Sequence, residues 1–335
     1  MLMKTEKQLE ISCSSRIFNA TVVASAISAA FDLGLFDEMR AEGKISIRRF
    51  CERNDLHCNT VRAILIALQT EKIVKFDSEK DVASTDELFQ QVFFDKGYFA
   101  WLVGGYGAML QNLSAIAKNE NRKGDFSGRC GQRIASAGRD YGAHFVDRSF
   151  KAFLEEANYK AVADLGCGSA ERLIQIGTAN RNLQGIGIEV NSGAVSLARS
   201  SIAKAGLQDR IQVVAGDLRE LSPSHDWEDV ELVFSFFMGH DLWPRQQCLL
   251  ALQNVRKMFP NAHRFLLCDT YRSQSLEKAD VPIFTLGFEF THMVMGDYVP
   301  TLNEWMELFE ETEWECDACH SIGIPYSCIF DLRVK

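Results

Sequence analysis

One stretch, from Ala161 to Glu189, limits what this chain can fold into more than any other. Ala161–Leu165 is an apolar run of strand length, and Gly166-Cys167-Gly168 follows it at once. Two glycines there permit a tight turn and let a ligand approach the main chain with no side chain in the way. Ser169–Thr178 has helical character, Gly185–Val190 reads as a second strand, and Glu189 stands at its C-terminal end. Strand, glycine turn, helix and strand make a parallel βαβ unit, and such units gather ligands at the C-terminal strand ends. A carboxylate at that place accepts both hydroxyls of a ribose. The plainer alternative is a tight βα turn with no ligand.

Two details favour the ligand. Asp164 precedes the turn, and a third strand, Ile211–Gly216, runs into Asp217-Leu218. An acid there receives the exocyclic amine of an adenine, while Leu218 packs on the ring. A dinucleotide-binding domain would place a third glycine near Ala170 or Glu171, and none is present. D-L-G-C-G, an acid at the next strand end, then G-D-L resembles the class I S-adenosylmethionine (SAM) methyltransferases. The resemblance implies an α/β fold with a Rossmann-like seven-stranded sheet and SAM as cofactor. It assigns Asp164, Gly166, Gly168, Glu189, Asp217, Leu218 and Ser235 to the cofactor site.

Length and charge narrow the partners. The chain has 335 residues, 47% of them hydrophobic, enough for two domains with full cores. Its formal charge of −9 argues against phosphate-backbone binding as the main activity. No apolar run reaches membrane-span length, and the opening MLMKTEKQLE lacks a signal-peptide core. We therefore expect a cytoplasmic protein with neither nucleic acid nor membrane as partner. The ten cysteines then read as reduced thiols. Cys316-x-x-Cys319-His320 has the spacing of a c-type haem attachment, but no export route accompanies it, and it falls where a terminal strand pair is expected.

In chain order, residues 11–39 carry Ile17, Phe18, Val22, Val23, Ile27 and Phe31 at roughly helical spacing, with Gly34 as the C-terminal stop. Ile45–Phe50 and Asn59–Glu71 read as helices, and Ile73–Phe76 leads into a wing, a winged-helix pattern. Its second helix offers only Arg62 and Lys72 as cations, too few for a nucleic-acid face. D-L-G-L-F-D, that pattern and ASTDELFQ resemble the N-terminal dimerisation domain of small-molecule O-methyltransferases, which implies a homodimer. The organisation expected is thus a mainly helical dimerisation domain over 1–100, a helical linker and pocket wall over 101–140, and a SAM-binding domain over 141–335. Tyr141–Glu156 reads as the helix before that domain. Val230–Phe236, Arg264–Cys268 and Ile322–Val334 supply later strands, Gln246–Phe259 a helix, Phe288–Val294 an inserted helix and Pro300–Glu310 an amphipathic one.

Three polar residues should converge at the ligand rim: His240 after the fourth strand, Asp269 at the end of the fifth, and His292 in the inserted helix. Two histidines and a carboxylate suit non-haem iron, and zinc accepts them too. Singly, His240 could be a general base, Asp269 a structural acid and His292 a core histidine. F-x-x-H-D, the acid after strand five and the second histidine resemble the α-keto acid C-methyltransferases. SFFMGHDLWP, LLCDTYR and PIFTLGFEFTHMVMGDYVPT are most similar to the 2-ketoarginine methyltransferases among them. Some relatives carry methionine where this chain has Phe237, which favours Asp269 as third ligand. The resemblance implies methylation of the β-carbon of an α-keto acid, with 5-guanidino-2-oxopentanoate as substrate, through a metal-stabilised enolate. Asp241 and Arg133, or Arg129, are candidates to steer the carboxylate or the proton, and Glu289 or Asp297 to pair with a guanidinium. The competing function is metal-independent O-methylation with His240 as base.

Overall fold

Ser12 starts the first helix, its hydroxyl accepting from the Ser15 amide at 3.1 Å to cap α1 (Cys13–Asp32). The computed structural model describes residues 12–274, 276–277 and 280–335. The opening residues, on which the expectation of no leader rests, lie outside them. One side of α1 buries Val23, Ala26, Ile27 and Ala30, while Ile17, Phe18 and Val22 stay 66%, 73% and 51% exposed. Gly34, at φ +68°, ends the helix in the left-handed region that glycine enters without strain. α2 (Leu35–Glu42) then turns Leu35, Phe36 and Met39 inward.

The chain continues through β1 (Lys44–Ser46), α3 (Ile47–Arg53), α4 (Cys58–Thr70), β2 (Val74–Asp77) and β3 (Val82–Thr85). The strands form an antiparallel sheet in the order β1-β3-β2. α5 (Phe89–Phe99) runs into a wide π-helical turn over Ala100–Gly105, followed by α6 (Gly107–Gln111), α7 (Leu113–Ile116) and α8 (Gly131–Phe145). A Cβ on Gly105 would lie 2.6 Å from Ile134 Cγ1, so the glycine-rich sequence here serves close helix packing. Lys96, buried on α5, bonds Asp140 of α8 at 2.5 Å. Contacts divide the chain into two compact units, Met1–His144 and Phe145–Lys335.

The second unit opens with α9 (Asp147–Glu155), separated from α8 at Val146 where the sequence reads as one helix. β4 (Ala161–Leu165), α10 (Glu171–Ala179), β5 (Gln184–Glu189), α11 (Ser192–Lys204) and β6 (Ile211–Ala215) follow. β7 (Leu232–Phe236), α12 (Arg245–Met258), β8 (Arg264–Thr270), α13 (Thr285–Met295), α14 (Leu302–Glu310), β9 (Trp314–Ser321) and β10 (Ser327–Val334) complete it. The seven strands lie in the order β6-β5-β4-β7-β8-β10-β9, all parallel except β10, which runs antiparallel to both neighbours. Every residue of β4 and β8 is buried, as expected of strands covered on both faces. Chain order reverses at β4, which puts the ligand crevice beyond the C-terminal ends of β4 and β7. No single described helix is long and apolar enough to cross a membrane.

One buried ion pair ties β8 to β10. Arg264, 2% exposed, donates to both oxygens of Asp331 at 2.9 and 2.7 Å, and to Glu156 and Tyr159 at 3.0 and 3.2 Å. Removing the carboxylate would strand a buried guanidinium. Asp331→Ala is expected to cost about 3–5 kcal/mol in urea unfolding, and a loss under about 1 kcal/mol would show that Glu156 and Tyr159 suffice.

Candidate functional site

The crevice has two sides. On the first, Gly166 (φ +74°) and Gly168 (φ +54°) carry β4 into α10, and the Gly166 amide donates to Ile188 O at 2.8 Å. A Cβ on Gly166 would come 3.0 Å from Met238, so the turn passes directly against the segment after β7. Glu189 reaches back across it. One carboxylate oxygen accepts from the Gly168 amide at 2.9 Å and the other from Asn191 at 2.8 Å, each keeping a second lone pair for a hydroxyl. Asp164 is 5% exposed, and burial pushes its carboxyl up to about 7; Arg172 opposes the rise and Glu189 adds to it.

The remaining expected cofactor contacts stand differently. Arg219 clasps Asp217 through its amide at 2.9 Å and its guanidinium at 2.8 Å, which holds the carboxyl below its usual range. An adenine amine would share Asp217 with that guanidinium. Leu218 is 5% exposed within the core, so it presents little surface for a ring. Ser235 is fully buried and donates to Leu165 O at 2.9 Å. It pins β7 to β4 at the C-terminal end of β4.

On the second side, the chain leaves β7 through Phe237, a non-glycine residue held at φ +54°. A short 3₁₀ turn over Gly239–Leu242 then carries His240 and Asp241. Asp269, at 0% exposure on β8, accepts twice from His240: the ring Nδ1 at 2.6 Å to Oδ1, and the backbone amide at 2.6 Å to Oδ2. Oδ1 also takes the Thr270 amide at 2.7 Å. A Cβ on Gly239 would lie 2.7 Å from Oδ2, so glycine is what lets the turn close over the carboxylate. Burial pulls the His240 ring down, but the charge and hydrogen bond of Asp269, with Asp241 and Asp297 adding, hold it up at about 9.

His292 comes from α13 and is 3% exposed. Its ring meets His240 edge to face, centroids 4.9 Å apart at 84°, and Phe288 packs against both at 5.2 and 4.2 Å. His292 Nδ1 donates to Phe288 O at 2.7 Å. A carbonyl only accepts, so Nδ1 carries the proton and Nε2 is the basic atom of the neutral ring. Asp241 Oδ1 lies 3.9 Å from His240 Nε2, with its side chain half exposed. Arg133 belongs to the first unit, where its guanidinium pairs with Asp32.

The three residues expected to hold an ion therefore meet in another way. Asp269 spends both oxygens on His240 and Thr270 and stands behind the imidazole, not beside it. Among the described residues, no group of three His, Cys, Asp or Glu can hold a metal. The set His240, Asp269 and His292 does not fit as a metal centre, because the acid that would be the third ligand is already bonded to His240 and Thr270. Sequence reasoning missed Gly239 and Phe288, although Phe288 sits four residues before His292 on the same helix face, which was the available signal.

Comparison with known proteins bears on the family and the fold. The family described as "Methyltransferase domain" matches residues 162–261. The chain is similar to Methyltransferase ungE' of Aspergillus campestris (strain IBT 28561), 36% identical over 95% of this chain and 96% of that protein. It is also similar to Indolepyruvate C-methyltransferase of Streptomyces griseus, 26% identical over 97% of this chain and 95% of that one. The solved structure of the mitomycin 7-O-methyltransferase MmcR superposes with a TM-score of 0.65 at 16% identity, covering 96% and 97% of the two chains.

Asp164 gives the cofactor side a pH signature. A ligand ammonium binds the carboxylate and not the acid, so with the free carboxyl near 7, SAM affinity should fall by up to about tenfold per pH unit below that point and level off above it. Calorimetry from pH 5.5 to 8.5 reads this, with Asp164→Asn losing the step. Equal affinity across the range in the parent protein would remove Asp164 from the cofactor site.

Proposed function

Because the chain belongs to the SAM-dependent methyltransferases, we propose that it transfers the methyl group to the β-carbon of an α-keto acid. The observation that carries this reading is the pair of imidazoles meeting at 4.9 Å, one backed by a buried carboxylate and one fixed as the Nδ1–H tautomer. O-methylation of a hydroxyl needs a single base. Carbon methylation needs a base at Cβ and a donor at the carbonyl oxygen, and two imidazoles supply both. The similarity to Indolepyruvate C-methyltransferase over nearly the whole chain supports the same class.

The steps follow from the two rings. His292 Nε2 takes a proton from Cβ, and the electron pair moves onto the carbonyl oxygen. His240, protonated beside Asp269, donates from Nε2 to that enolate oxygen, where a fixed donor counts most as charge develops. The enolate carbon attacks the SAM methyl in line, the carbon–sulfur bond breaks, and S-adenosylhomocysteine leaves. For the side chain of the keto acid we favour an aromatic group. Glu289, one acid considered for a guanidinium, is buried with Oε1 accepting the Ser273 amide at 2.7 Å, and the similarity to Indolepyruvate C-methyltransferase supports an aromatic side chain. We also propose a homodimer, with the exposed Ile17, Phe18 and Val22 of α1 covered by a second copy.

The test is product identity. With [methyl-¹³C]SAM and phenylpyruvate, indolepyruvate or 2-ketoarginine, the label should appear on Cβ, most with the aromatic acids. His240→Ala and His292→Ala should each lower turnover by about 10²–10⁴. A label on oxygen, or a His292→Ala enzyme with most of its activity, would restore the single-base O-methylation reading. Activity lost to a chelator and returned by iron(II) or zinc(II) would mean that an ion, and not His240, holds the enolate oxygen. Sedimentation should show a dimer at micromolar concentration that Phe18→Asp dissociates; a monomeric parent protein would overturn that assignment.

A further inference from the structure

The terminal strand pair holds a thiol cluster that the methyl-transfer chemistry does not use. Cys319 on β9 is exposed and Cys328 on β10 is buried. The register pairs Cys319 with Phe330 and Cys328 with Ser321, so the two sulfurs lie diagonally on one face of the sheet. Across the other edge of β10, Cys328 stands opposite Asp269. An irregularity at Asp331/Leu332 interrupts the β9–β10 ladder, and β9 is the edge strand, bonded only to β10.

We propose that Cys319 and Cys328 form a reversible oxidation site, closed to a disulfide by hydrogen peroxide, that governs turnover through Asp269. The link to turnover rests on the proposed role of the His240–Asp269 pair. The pattern is that of a thiol sensor, an accessible cysteine with a resolving cysteine beside it. The neighbouring Cys328 thiol draws the Cys319 thiol below its ordinary range against the opposing effect of burial, and Cys328 is pushed up in return. The Cys319 thiolate attacks one peroxide oxygen, an S–O bond forms, the O–O bond breaks, and the departing hydroxide takes a proton to become water. The Cys328 sulfur then attacks Cys319, the S–S bond forms, and a second water leaves. Two thiols are oxidised and one peroxide is reduced. Bringing the sulfurs to about 2.05 Å draws the edge strand toward β10. The pull falls on the residue facing Asp269, whose two short bonds set the position of His240.

Hydrogen peroxide titration of the full-length protein tests this, with peptide mapping after alkylation and methyl-transfer assays before and after dithiothreitol. The expected result is a Cys319–Cys328 linked peptide, loss of most turnover, and recovery on reduction. Cys319→Ser, a surface change outside the site, should keep its untreated activity and resist peroxide. Both thiols still alkylated after treatment, a disulfide with unchanged turnover, or Cys319→Ser inactivated as fast as the parent would each overturn the proposal. Failure of the keto-acid assignment shows separately, as no C-methylated product from untreated enzyme.

Discussion

A carboxylate taken wholly out of water must be satisfied by what surrounds it, and Asp269 is such a group. Three short hydrogen bonds meet it, two from one residue. That requirement fixes the turn after β7, since only a backbone folded tightly over β8 can present both the amide and the ring of His240. Glycine at 239 follows, and so does the unusual backbone of Phe237 just before it. The orientation of His240 then sets where Phe288 and His292 pack, because aromatic edges and faces admit few arrangements. Sheet, turn and inserted helix are joined through one buried charge.

The cofactor side obeys a different constraint. Parallel strands leave their C-terminal ends open, and reversal of chain order at β4 opens a crevice there. Glu189 bridges the Gly168 and Asn191 amides, so the glycine turn is already shaped before a ligand arrives. A preshaped turn spares the ordering cost that binding otherwise meets. Ser235 serves the same end from below, locking β7 to β4 at the bottom of the crevice.

Much of this was legible in the sequence. The glycine turn, the strand lengths and the acid at Glu189 follow from local pattern, and their boundaries fall within a residue or two of the elements seen. His240 and Asp269 were found together because each follows or ends a strand that points to the crevice, and His292 because it lies in the helix inserted beside them. Their division of labour was not legible. A carboxylate and an imidazole near one another bond to a shared ion or to each other, and only distance decides. Nor was the hydrogen bond of Ser235 to Leu165 O legible: a strand residue faces the ligand or the neighbouring strand, and sequence does not say which. Nor does a helical period reveal the break at Val146 between α8 and α9, or a strand as short as β1.

The central claim is that His292 removes a proton from the β-carbon of a keto acid while His240 holds the oxygen. It is tested most directly without methyl transfer, by following deuterium exchange at Cβ of phenylpyruvate in D₂O with S-adenosylhomocysteine bound. The account predicts exchange well above the buffer rate in the parent enzyme, abolished by His292→Ala and strongly slowed by His240→Ala. Exchange at the buffer rate in an enzyme that still transfers methyl groups would contradict it.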